Sequence, residues 1–171
     1  MNALLQLIPH AKGEYMLATD ADTQHATISI EKTVAMMQKY NLDIMSGFPT
    51  QLCSTYIASV IVSTMMFANI MIPHFLLYKL QVSKASFAIG QYIIMRRDAY
   101  YEVGGYGCIE NAVVDDMGLV KLFAKKKKRH AFVNLSEEVA CYMYENGKDA
   151  FHGIERSISG VFPARYYIIP I

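Results

Sequence analysis

The sequence predicts an α/β fold in which a mixed, mostly parallel sheet is flanked by helices. Three observations predict it. The apolar run Tyr15-Met16-Leu17-Ala18-Thr19 ends abruptly in Asp20-Ala21-Asp22, as a buried strand ends in a polar turn. Between Ala26 and Tyr40, Ile30, Val34 and Met37 fall at i, i+4 and i+7, the period of an amphipathic helix. Leu42 to Phe48 then alternates as a second strand and stops at Pro49. Strand, helix and strand in this order imply a parallel arrangement.

The remaining elements follow in chain order. Residues 2–8 read as a short helix ending before Pro9, and Lys12-Gly13-Glu14 as the turn into the first strand. From Tyr56 to Tyr78 there are 23 residues without an acidic or strongly basic side chain. That length is enough for a bilayer span. Ser59, Ser63, Thr64, Asn69, Pro73 and His74 within it instead favour a buried or membrane-surface helix. Ala88 to Met95 is β-rich and predicts a core strand. Asp98 suits the N-cap of a short helix through Val103, and Gly104-Gly105 lets the backbone turn sharply. Ala112-Val113-Val114 runs into Asp115-Asp116, which fit the start of a helix over 116–128. Its end carries Lys125-Lys126-Lys127-Lys128-Arg129, a solvated helix terminus or, more sharply, a contact for anionic lipid. Two short strands, 131–135 and 139–143, precede a helix over 147–160 and an apolar, aromatic tail.

Composition narrows the classes. Hydrophobic residues make up 53% of the 171 and charged residues 18%, which excludes general disorder. A net charge of +1 gives no electrostatic footprint for nucleic acid. Three widely spaced cysteines, Cys53, Cys108 and Cys141, form no C-x-x-C pattern. They fit reduced thiols in a cytoplasmic setting rather than a disulfide framework or structural zinc.

The chemistry concentrates in the carboxylates. Alternate residues of a strand point the same way, so Asp20 and Asp22 can converge at the strand's C-terminal end, where open α/β sheets bind ligands. Two such oxygens suit a hard cation, Mg²⁺ or Mn²⁺. Taken alone, the pair reads first as a polar turn, and Asp115-Asp116 first as a helix cap.

The order of these features is more specific than any one of them. Gly13 to Asp22 reads G-x-x-x-x-x-x-D-A-D, Arg96 to Tyr106 reads R-R-x-A-Y-x-x-x-G-G-Y, and Asp115-Asp116 follows. This series resembles family 2 glycosyltransferases of the GT-A fold, over roughly residues 12–160. It looks most like the membrane-associated members that glycosylate lipids, of the ceramide glucosyltransferase, hopanoid and carotenoid type. The family's second acidic pair is usually Glu-Asp, and the Q-x-x-R-W motif of processive members is absent, which disfavours a polymerase. Family members place their first strands, which hold the nucleotide base and ribose, ahead of the D-x-D strand. By that comparison this sequence is expected to be an N-terminally truncated copy. Residues 1–160 would form the C-terminal part of a catalytic domain, and 161–171 an apolar tail starting a membrane-associated segment.

The resemblance implies transfer of a sugar, with inversion, from a nucleoside diphosphate sugar to an acceptor hydroxyl, a lipid among the candidates. Asp20 and Asp22 would hold Mg²⁺ or Mn²⁺ against the diphosphate. Gly104 and Gly105 would admit the donor sugar, Asp116 would be the base, and Asp115 would orient it or bind acceptor hydroxyls. His152 and Arg156 are weaker candidates for diphosphate contact, equally readable as surface residues. The implied setting is the cytoplasmic side of a membrane. Two other readings compete: an inactive remnant, and a membrane-associated structural protein without catalysis. A metal-dependent phosphohydrolase is disfavoured, because only His25 lies near the first acidic pair.

Overall fold

The computed structural model describes residues 2–70, 79, 86–109, 115–144 and 147–153. These fall into two compact units, one spanning Met1–Thr50 and Pro73–Cys141, the other Gln51–Ile72 and Tyr142–Ile171. Expectations for 71–78, the tail 161–171 and Arg156 lie outside the described residues.

In chain order, helix α1 (Asn2–Leu7) leads into a 3₁₀ turn, Ile8–His10, that carries Pro9. Strand β1 (Tyr15–Thr19), a short β2 (Thr23–His25), helix α2 (Ser29–Lys39) and β3 (Ile44–Phe48) follow. Strand β4 (Thr50–Cys53) and helix α3 (Tyr56–Ile70) precede β5 (Tyr92–Arg96) and α4 (Arg97–Val103). A 3₁₀ turn, Gly105–Ile109, then α5 (Asp115–Lys125), β6 (His130–Asn134) and β7 (Val139–Tyr144) complete the named elements.

The main sheet has the order β1-β5-β3-β6. β5 is antiparallel to both β1 and β3, and β3 is parallel to β6. Three of the four strands therefore point one way, which is the mixed α/β arrangement expected. The surprise lies in adjacency. β1 and β3 run in the same direction but are not neighbours, because β5 fills the slot between them, pairing Thr19 with Tyr92 and Ser46 with Ile93.

Side chains leave this sheet alternately, and both faces are covered. Met16, Ile44, Ile93 and Met95 enter a cluster with Ala99, Tyr100 and Val103 of α4 and Leu119, Val120 and Phe123 of α5. Met45, Tyr92 and Ile94 point the other way, into a cluster with Met37 of α2, Leu135 and Val139. A strand covered on both faces reads as an unbroken apolar run, and Tyr92-Ile93-Ile94-Met95 is one. Burying each of these side chains contributes roughly 2 kcal/mol.

Helix α2 sits rotated from its apolar period. Its buried residues are Ser29, Thr33 and Met37, while Ile30 is exposed. The cause is polar. The Tyr92 hydroxyl is buried on that face of the sheet, and the Thr33 hydroxyl meets it at 2.7 Å. An unmet hydroxyl there would cost more than an exposed isoleucine side chain. In β3, a Cβ on Gly47 would lie 2.5 Å from the Val133 carbonyl oxygen, so only glycine permits the close β3–β6 approach.

Helix α4 starts at Arg97, so Asp98 is its second residue rather than its N-cap. There it accepts the Ala99 N–H and pairs with Arg96. The basic run lies at the turn from α5 to β6. Lys128 is paired with Glu102, and the Arg129 N–H donates to Asp43, while Lys125, Lys126 and Lys127 are exposed.

The second unit holds α3, with Ala58 and Val62 buried, the distal half of β7 beside β4, and a helical turn over 147–153 with Ala150 buried. Among the described residues no helix is long and apolar enough to cross a membrane.

Candidate active site

The site forms where three chain segments meet at one edge of the main sheet. β1 ends at Thr19, and β5 begins opposite it at Tyr92. That brings Asp20 beside Gly90 and Gln91, the residues that lead into β5. The 89–91 segment is fixed from behind by Ser46, whose hydroxyl accepts the Ile89 N–H at 2.9 Å and donates to the Ile89 carbonyl at 3.0 Å. The third segment is the start of α5. Gly90 N–H donates to Asp116 Oδ2 at 2.8 Å, and Met117 N–H donates to Asp116 Oδ1 at 2.6 Å. Asp116, the second residue of α5, thus accepts a first-turn N–H of its own helix and ties that helix to the β5 entry.

Between these segments lies a cleft of about 170 Å³, lined by Asp20, Asp115, Asp116, Thr19, Gly90 and Tyr106 together with the apolar Leu4, Ala18 and Ile93. No lysine or arginine stands among its described lining residues. The crowding of carboxylates leaves a mark on their acidity. Asp20 is pushed above the ordinary aspartate range by loss of hydration, and then by the Asp22 and Asp115 charges. Asp116 is pushed up by burial, partly opposed by the N–H groups of Met117 and Gly90, with Asp115 adding to the rise. The Tyr106 hydroxyl is held strongly in its neutral form by burial and by the same two carboxylates.

The structure therefore brings Asp20, Asp115 and Asp116 to one cleft. Asp22 stands just outside its lining, near enough to repel Asp20 and in contact with the thiol of Cys141 at 3.5 Å. Gly104 and Gly105 do not line the cleft. They turn the chain after α4 with φ of 95° and 55°, in the left-handed region. The space a Cβ would need is filled by Cys108 Sγ at Gly104 and by the Tyr100 ring at Gly105. The pair sets the position of Tyr106, whose N–H donates to the Tyr100 hydroxyl at 3.0 Å. His25 bonds the Thr19 hydroxyl at 3.2 Å, and His152 lies exposed in the second unit. Sequence reasoning missed Thr19, Gly90 and Tyr106 as lining residues, although Tyr106 closes the G-G-Y motif.

Among the described residues no three of His, Cys, Asp or Glu gather tightly enough to cage a metal on their own. Mg²⁺ in nucleotide sites is bound through one or two carboxylates plus substrate phosphates, not by such a cage.

The family description that matches this chain is glycosyl transferase family 2, over residues 1–104, which is more than half of it. The chain belongs to glycosyl transferase family 2. The match includes the D-x-D strand and the Arg96–Gly104 segment, and the acidic pair that opens α5 lies beyond it. Membership implies a nucleotide-sugar donor and an acceptor for this glycosyltransferase. Among curated proteins none matches the chain.

Proposed function

We propose that this family 2 glycosyltransferase moves a sugar from a nucleoside diphosphate sugar to an acceptor hydroxyl with inversion, assisted by a divalent cation. The observation that carries this reading is the convergence of Asp20 and Asp116 on one cleft from two separate elements, the end of β1 and the start of α5. A cleft lined by carboxylates repels a diphosphate unless positive charge accompanies it. Asp20, with Asp22 beside it, offers the hard oxygen donors for that charge, and their mutual repulsion is what a cation relieves. Mg²⁺ or Mn²⁺ held there would supply Lewis-acid neutralisation of the departing diphosphate.

The chain's own residues carry the remaining tasks. Asp116 is the proposed base: its carboxylate takes the proton of the acceptor hydroxyl as that oxygen bonds to the anomeric carbon. The bond from that carbon to the diphosphate oxygen breaks, and its electron pair leaves with the diphosphate. Burial raises the basicity of Asp116, and two backbone N–H groups fix its orientation without consuming all its lone pairs. Asp115, which also lines the cleft, would orient the acceptor. Gly104 and Gly105 enter this reading indirectly, by holding Tyr106 at the cleft rather than by touching the donor.

We further propose that the acceptor is a lipid and that the enzyme works on the cytoplasmic face of a membrane. Support comes from α3, where Tyr56, Val60 and Phe67 fall on one stripe and are 84%, 47% and 64% exposed. A panel of nucleoside diphosphate sugars, each with short-chain lipid alcohols or glycerol as acceptor, tests the reading by release of nucleoside diphosphate. Release that needs both acceptor and Mn²⁺ or Mg²⁺ supports it. Release unaffected by Asp116→Asn would remove Asp116 as base. Absence of release with every donor favours the inactive reading.

A further inference from the structure

Behind the acidic turn lies a buried polar chain of contacts that the reaction scheme leaves unused. Gln91 is 5% exposed and Cys141 fully buried, an uncommon depth for a primary amide. The main-chain oxygen of Gln91 accepts the Thr19 hydroxyl at 3.0 Å and, more loosely, the Thr23 hydroxyl at 3.5 Å. Those two residues bracket Asp20-Ala21-Asp22. The side-chain amide of Gln91 donates to Cys141 Sγ at 3.0 Å, and the thiol donates onward to Asp22 Oδ1 at 3.5 Å. Strand pairing sets both contacts, since Tyr92 lies opposite Thr19 and Cys141 opposite Thr23.

We infer that Gln91 is a positioning residue for the D-x-D turn, its side-chain amide acting on the Cys141 thiol and through that thiol on Asp22, while its main-chain oxygen, which any residue at 91 would offer, holds the two ends of the turn. This rests on the reading of Asp20 and Asp22 as cation-holding residues. The physical need is specific. Asp20 and Asp22 repel one another, and a two-residue step at a strand end has freedom to splay them apart. A cation that takes only one or two protein oxygens gains affinity from carboxylates already held together. Gln91 supplies that restraint without bringing a positive charge that would compete with the cation. Cys141 turns one Asp22 oxygen toward the protein and leaves the other for a ligand. Removing groups that orient metal-binding carboxylates in this way typically costs about 10–100-fold in metal affinity.

Mn²⁺ titration of the intact chain, followed through the electron paramagnetic resonance signal of the free aqueous ion, reads this separately from catalysis. Wild type is expected to take up Mn²⁺ saturably, and Asp20→Asn to abolish uptake. Gln91→Met and Cys141→Ala, with unchanged circular dichroism, are expected to weaken Mn²⁺ binding by about tenfold or more, and Cys141→Ser, which keeps a donor to Asp22, to recover most of it. That recovery separates orientation of Asp22 from simple packing. If Cys141→Ala does not fold, Gln91→Met decides alone. Unchanged affinity in Gln91→Met, with Asp20→Asn still abolishing uptake, overturns the positioning role and leaves the cation reading standing. A wild-type chain that takes up no Mn²⁺ overturns both.

Discussion

Replacing Asp116 by asparagine probes the site at the residue with the most tasks. Its two carboxylate oxygens accept different backbone donors, Gly90 N–H at 2.8 Å and Met117 N–H at 2.6 Å. An amide has one acceptor oxygen, so one of these N–H groups must face an NH₂ instead. A hydrogen bond to a charged acceptor is worth about 1.5–3 kcal/mol. Part of that loss is returned, because burial and Asp115 already disfavour the ionised form of Asp116. A net destabilisation of about 1–2 kcal/mol follows, which lowers Tm by roughly 2–8 °C for a chain of this size. Activity should fall far more, by about 10²–10⁴-fold, the usual contribution of a general base. The assay pairs thermal unfolding with nucleoside diphosphate release at a temperature where both proteins are folded. Transfer at the parental rate with lowered Tm would refute the base role and leave Asp116 the tie between the start of α5 and Gly90.

Other consequences can be checked together. Because the folded-state pKa of Asp20 is raised, its contribution to stability is fully present below the ordinary aspartate value of 3.8. It is lost as pH rises through the higher folded value. Asp20→Asn should therefore raise Tm at pH 7, with the gain vanishing at about pH 3; a gain independent of pH would contradict this. Mn²⁺ at ten times its dissociation constant should stabilise wild type by about 1.4 kcal/mol, or roughly 3–6 °C, and Asp20→Asn not at all. Gly105→Ala forces a methyl to 2.1 Å from the Tyr100 ring and should displace Tyr106 and reduce activity. Gly107→Ala, with open space around it, should be silent. Gly47→Ala, 2.5 Å from the Val133 carbonyl oxygen, should cost about 3 kcal/mol and be read as loss of soluble, cooperatively melting protein.

Much of the architecture was legible because its signals are local. β1 is bounded by a turn and by Asp20, and the run 92–95 is apolar without a break. What was not legible is pairing. Periodicity marks a segment as a strand and says nothing of its neighbour, so the insertion of β5 between β1 and β3 could not be read. β2 and β4, of three and four residues, are too short to show alternation. The rotation of α2 escaped for a different reason: Ile30 follows the helical period, but the Tyr92 hydroxyl on the facing sheet demanded Thr33. At the site, the spacing of Asp20 and Asp22 and the helix-opening position of Asp115-Asp116 were visible. Gly104-Gly105 was rightly read as a turn, yet its glycines serve close packing around Tyr100 and Cys108 rather than the cleft. Gln91 and Cys141 carry no motif, and only the pairing of β1 with β5 and of β2 with β7 brings them to Asp22.

The central claim is that the cleft between Asp20 and Asp116 receives a nucleoside diphosphate together with a divalent cation. Calorimetric titration of UDP and of GDP, each with and without Mn²⁺, addresses it directly. The account predicts saturable one-to-one binding of at least one of them that requires Mn²⁺ and is lost in Asp20→Asn. No binding of either nucleotide, or binding that survives both Mn²⁺ removal and Asp20→Asn, would contradict it.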